Sequence, residues 1–159
     1  MNRLLVLLTI LLAISVPSFA QTSEASGDID GLIEILRSDV RTEKAALLTV
    51  EMELTEAQAK EFWPLQRDYE EGLAPISDRR IAMIKSYAED WGTLSDDGAD
   101  KMAKEYFSMH KDRLALRQAT YKKMSKALGS LLAARFLQIE SAIQNLIDLQ
   151  IAAELPILE

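Results

Sequence analysis

Apolar residues recur along this chain at three- and four-residue intervals, the spacing of one helix face, and nowhere alternate as they would in a strand. After an apolar run from Leu4 to Ile14, broken only by Thr9, a short helical patch is predicted at Ile29, Leu32, Ile33, Ile35 and Leu36. A second, capped by Ser38 or Asp39, carries Val40, Ala45, Leu47, Leu48 and Val50 and ends near Glu51. From Thr55 to about Trp91, the positions Phe62, Leu65, Tyr69, Leu73, Ile76, Met83 and Tyr87 form one seam, in which Arg80, preceded by Arg79, takes the skipped place. Pro64 and Pro75 each remove a backbone donor and crowd the preceding turn. The pattern therefore predicts a bent helix, or two helices meeting near Gly72 to Pro75.

Trp91-Gly92-Thr93 closes that unit, and Ser95 with Asp96-Asp97 supplies a cap and an acidic first turn for the next. Ala99, Met102, Tyr106, Met109, Leu114, Tyr121, Met124 and Leu128 mark a long helix to about Ala127, with Arg113 and Arg117 close to its seam. Gly129-Ser130 breaks it, Ser130 is placed to cap the last helix, and Leu155-Pro156 ends that helix. The last helix is apolar on most sides: Leu131, Leu132, Phe136, Leu137, Ile139, Ile143, Leu146, Ile147, Leu149 and Ile151. It is expected at the centre of the fold or in a dimer interface. The expected fold is all-α, in bent hairpins of about four helices.

The best-defined local signal is Leu54-Thr55-Glu56-Ala57-Gln58. Thr55 is an N-cap, Glu56 lies at the positive end of the helix dipole, and Gln58 completes a capping box. Leu54 is then placed to pack beneath Phe62 or the Gln58 stem.

Composition adds a compartment. Asn2-Arg3, the following apolar run and Ser18-Phe19-Ala20 have the form of a secretory signal peptide cut after Ala20, giving a signal at 1–20, a disordered segment at 21–28 and one helical domain at 29–159. The run is short for a bilayer span, so a retained anchor is the weaker alternative and no membrane insertion is expected after cleavage. No cysteine occurs, which excludes a lipidated cysteine, disulfides and thiolate chemistry. Cleavage removes the one charge of Arg3 and takes the formal net charge from -7 to -8, a poor balance for binding nucleic acid. Charge is uneven: residues 21–71 hold 13 acids and 5 bases, whereas 101–126 hold 8 bases and 2 acids, pairing an acidic half with a basic helix.

With Leu54, Thr55 and Gln58 following a signal peptide and a short helix, the chain resembles the Spy/CpxP family of periplasmic helical chaperones, whose hallmark is a repeated LTxxQ motif. The second copy is expected after Tyr121-Lys122-Lys123-Met124. There the chain reads Leu128-Gly129-Ser130-Leu131-Leu132 and then Ala133-Ala134-Arg135-Phe136, without the threonine and glutamine. Phe62-Trp63-Pro64 and the late Ala133-Ala134-Arg135-Phe136 are similar to a divergent exported subgroup. The resemblance implies a periplasmic helical cradle, often a homodimer. Its concave face mixes apolar and basic side chains, and it holds unfolded or envelope proteins, or modulates envelope-stress signalling, without ATP.

Arg79, Arg80, Arg113, Arg117, Lys122 and Lys123 are the residues expected on such a face, because long stems offer apolar area and their heads attract acidic segments. The competing expectation is a solvated face bridged to the acids of residues 51–71. An alternative function is a structural or sensory domain that binds one folded partner, such as a membrane receptor, or a weak metal sensor. Met83, Met102, Met109 and Met124 with His110 suggest copper(I), but methionine at helical spacing more often fills a core, so no metal or other cofactor is expected. No nucleophile elbow, phosphate-binding glycine loop or HExxH occurs. Glu70-Glu71 and Asp96-Asp97 point apart on a helix, so no enzyme is expected.

Overall fold

A computed structural model describes residues 44–155, and over them the fold is all-α. Helix α1 is described over residues 44–51, followed by α2 (Glu56–Asp90), α3 (Asp96–Leu128) and α4 (Ser130–Glu154). The expected signal peptide at 1–20, the expected segment 21–28, the expected patch from Ile29 to Leu36, the expected Ser38/Asp39 cap, Val40 and Pro156 lie outside the described residues.

Helix α2 begins as its sequence predicts. Thr55 Oγ1 accepts the Gln58 N–H at 3.3 Å, and Gln58 Oε1 accepts the Thr55 N–H at 2.9 Å, so two of the donors that a helix start leaves unpaired are satisfied reciprocally. Leu54 packs against the core. Of the two arrangements expected, a bent helix or two helices meeting at Gly72 to Pro75, the second does not occur: α2 runs uninterrupted through Pro64 and Pro75. Both prolines are exposed, and so are Lys60 and Glu71, the residues four places earlier whose carbonyls lose a partner, so water can satisfy them. The opposite side buries Phe62, Tyr69, Ile76 and Ile84, and this packing holds the helix across both sites. Ile84, not Met83, carries the buried line.

Helices α2 and α3 form an antiparallel hairpin closed by Gly92 at φ 84 and by the Thr93 N–H on Asp90 O at 2.9 Å. Leu116 of α3 packs directly over Gly72 of α2, where a Cβ would lie 2.8 Å from Leu116 Cδ1. Ser95 caps α3 as expected, its hydroxyl accepting the Gly98 N–H at 3.2 Å.

The turn into α4 is a single residue, Gly129, at φ 90 and ψ 154. Ser130 does not cap α4. It already lies in the helix, with its hydroxyl 2.8 Å from that of Ser125, and no side chain caps this end.

Nor is α4 central. It buries only the line Ala133, Phe136 and Glu140, and leaves Leu131, Leu146 and Leu149 exposed. Helix α3 packs against both α2 and α4, and the α2 and α4 side chains meet across one flank of the bundle. The core consists of Leu48 and Met52 from the N-terminal side, Phe62 and Tyr69 from α2, Met124 from α3, and Ala133 and Phe136 from α4.

Candidate functional site

The most concentrated chemistry is a buried polar layer where α1 meets α2 and α4. Tyr69 is the seam residue one helical repeat after Phe62, and its ring packs edge-on to Phe136 at 5.4 Å. This points its hydroxyl at α4, where it donates to Glu140 Oε1 at 2.9 Å. The other carboxylate oxygen of Glu140 lies 2.6 Å from Lys44 Nζ, which also stands 2.7 Å from Glu70 Oε1 and 5.2 Å from the Tyr69 ring centre. Lys44 and Glu140 are both almost fully buried. Burial, reinforced by the Glu140 charge, pushes the Tyr69 phenol well above its ordinary range, so this hydroxyl remains a donor and is no candidate base.

The six basic residues do not gather on one face. Arg79 bridges to α3: its Nε lies 2.7 Å from Glu105, its Nη1 2.6 Å from Asp112, and its Nη2 donates to Ser108 at 2.9 Å. Those hydrogen bonds raise its pKa further, which keeps it charged throughout. Arg80 reaches α4 instead, 2.6 Å from Asp148 Oδ1. Arg117 donates to Leu137 O and to Ser141 Oγ. Arg113 is buried beside Arg80, and its Nε has no hydrogen-bond acceptor among the described residues. Burial first, and then the Arg80 charge, lowers its pKa. Lys122 and Lys123 are exposed. The acids that take up Arg79 and Arg80 come from α3 and α4, while residues 51–71 pair with other bases: Glu70 with Lys44, and Glu53 with Arg135 at 3.8 Å.

A different mixed face does exist. Phe107, Lys111, Leu114, Gln118 and Lys122 fall at four- and three-residue steps on α3, within an arc of about 100°, and all are exposed. They lie opposite the buried line of Met109, Arg113, Thr120 and Met124. Phe107 is 68 % and Leu114 57 % exposed, a large apolar contribution to a water-facing helix surface. The sequence contains this signal, but it was masked: Leu114 fits the apolar spacing of the seam, while the seam position itself is held by Arg113.

Met109 and Met124 are buried, and Met83 and Met102 half-buried, as core filling requires. His110 packs at a tilt against Tyr106, ring centres 4.2 Å apart, and its pKa is lowered first by partial burial and then by Arg113. Among the described residues no group of three or more His, Cys, Asp and Glu side chains is placed to hold a metal ion. No described helix is long and apolar enough to cross a membrane.

Compared with known proteins, the chain matches no family model, no curated protein and no solved structure. What it does must therefore be argued from its own surface. That surface offers an apolar and basic stripe on α3 and, beneath α1, an aromatic groove floored by carboxylates.

Proposed function

We propose that this protein is an exported, periplasmic, ATP-independent binding module of the Spy/CpxP kind, which holds unfolded or envelope proteins on a mixed apolar and basic helix face. The observation that carries the reading is the α3 stripe, where Phe107 and Leu114 alternate with Lys111 and Lys122 on one exposed arc. An unfolded segment carries apolar and acidic side chains in no fixed order. A stripe that presents both complementary types along about four turns meets many such orders without a shaped pocket. The face first expected from Arg79, Arg80, Arg113 and Arg117 is largely taken up by contacts within the bundle. That engagement favours a second reading, a rigid domain that docks one folded partner.

The test is light scattering of an aggregating model client, with and without the mature chain at equal molar amount. The module reading expects suppression that weakens with added salt, falls in Phe107→Ser/Leu114→Ser, and falls less in Lys111→Gln/Lys122→Gln. Absence of suppression by a folded, helical chain refutes it and leaves the single-partner reading.

A further inference from the structure

We propose that α1 is a displaceable internal ligand, and that the groove it fills between α2 and α4 is a docking site for an amphipathic partner helix. Such a helix would carry one cation and two apolar residues at successive four-residue steps. The inference is independent of the α3 stripe.

One face of α1 is bound and the rest is not. Lys44 is 6 % exposed and Leu48 and Met52 0 %, whereas Ala45, Ala46, Thr49, Val50 and Glu51 face solvent. This is how a ligand helix sits in a groove: anchors at every fourth residue are buried and the other side chains, half-buried Leu47 apart, are exposed. The receptor surface keeps its shape by its own contacts. Phe62 and Tyr69 each pack edge-on to Phe136, at 5.8 and 5.4 Å, and Tyr69 is tied to Glu140, all within α2 and α4. At the far end Glu70 and Glu140 present two carboxylates to one ammonium group, so the groove selects a cation at that position.

The link to α2 is built to open. Glu53 has φ 48, a left-handed backbone that a residue with a Cβ adopts only under constraint. The constraint is the seating of α1, since Arg135 donates to Met52 O at 3.3 Å and lies 3.8 Å from the Glu53 carboxylate. Lifting α1 away frees Glu53 to relax. The Lys44 ion pair holds weakly for its number of contacts, because taking the charges out of water offsets most of their attraction. It sets where α1 lies more than how tightly. A partner helix that supplies its own cation replaces the pair without loss.

While α1 is seated, an outside helix binds only the open fraction. If that fraction is about 1 %, its apparent affinity falls about a hundredfold.

The experiment uses the mature chain with Lys44→Glu, which repels both carboxylates, and a fluorescein-labelled peptide of residues 44–54 with the native Lys44. The expected result is a helical bundle that keeps its amide protection in α2 to α4, loses it in residues 44–52, and binds the peptide about a hundredfold more tightly than the wild-type chain does. The peptide carrying Lys44→Glu should not bind. Leu48→Asp in the chain, which removes an anchor without changing the groove, should open it equally. Equal peptide binding by wild type and both variants overturns the proposal. So does loss of the whole bundle in both variants, which would make α1 an inseparable part of the core. Client holding that persists in either case would leave the module reading standing and remove only this site.

Discussion

Replacing Glu140 by leucine removes the acceptor of the Tyr69 hydroxyl and one of the two carboxylates facing Lys44, in a place where Lys44 is 6 % and Tyr69 1 % exposed. A buried hydroxyl that loses a charged acceptor costs about 1.5–3 kcal/mol, and breaking one side of a buried ion pair costs about 3–5 kcal/mol in all. Because Glu70 is 32 % exposed and remains beside Lys44, the lower end of that range is expected, about 3 kcal/mol. Lys44→Met should cost a similar amount, since it leaves the Glu140 charge buried with Tyr69 alone. The triple variant Lys44→Met/Tyr69→Phe/Glu140→Leu leaves none of this layer's buried polar groups to satisfy. It should return to within about 1 kcal/mol of wild type or exceed it. Urea unfolding followed by far-ultraviolet circular dichroism measures all of these, with the slope compared across variants to confirm that the same surface is exposed. Single losses under about 1 kcal/mol that simply add in the triple variant would refute the reasoning, because a coupled network cannot be additive.

Thr55→Ala removes one half of the capping box and should cost about 1 kcal/mol in thermal or urea unfolding, with client binding per folded molecule unchanged. Gly129→Ala meets no atom within 4 Å, so its whole effect is backbone strain at φ 90; about 1–3 kcal/mol is expected, and no change in stability would show that the turn does not need glycine. The raised Tyr69 pKa fixes a sign. The folded state keeps this proton longer than the unfolded chain, so its contribution is complete below pH 10.0 and is lost as the pH rises beyond it. Tyr69→Phe should therefore flatten the fall of stability above pH 10.0, and an unchanged alkaline limb would contradict the burial argument.

The elements were legible because each rests on local chemistry. Thr55 and Gln58 are three residues apart, Ser95 stands before two acids, and both starts are where those pairs put them. Departures came where tertiary packing outweighed a local rule. Proline penalties in α2 were outweighed by a buried line four residues deep, and Ser130 lost its capping role because Gly129 turns the chain one residue earlier. The polar layer was the least legible part. Lys44 and Glu140 look like ordinary surface charges in sequence, and no periodicity distinguishes a lysine that will be buried from one that will not. Arg113 was readable only as a base near a seam. That it would occupy the seam, and so turn Leu114 out to water, followed from a one-residue shift in helix phase.

The Lys44 to Glu140 contact also sets an order of events in folding. It joins residues near opposite ends of the described chain, whereas α2 with α3 and α3 with α4 meet through short turns. Closing the long loop costs entropy that the neighbouring hairpins do not pay, so the Lys44 to Glu140 contact is expected to form after α3 and α4 have packed. Until the last helix has been made and packed, Leu48 and Met52 have no complete seat. The nascent chain passes through a stage in which its own aromatic groove is unformed and its N-terminal side uncovered, and folding ends with the stroke that hides both.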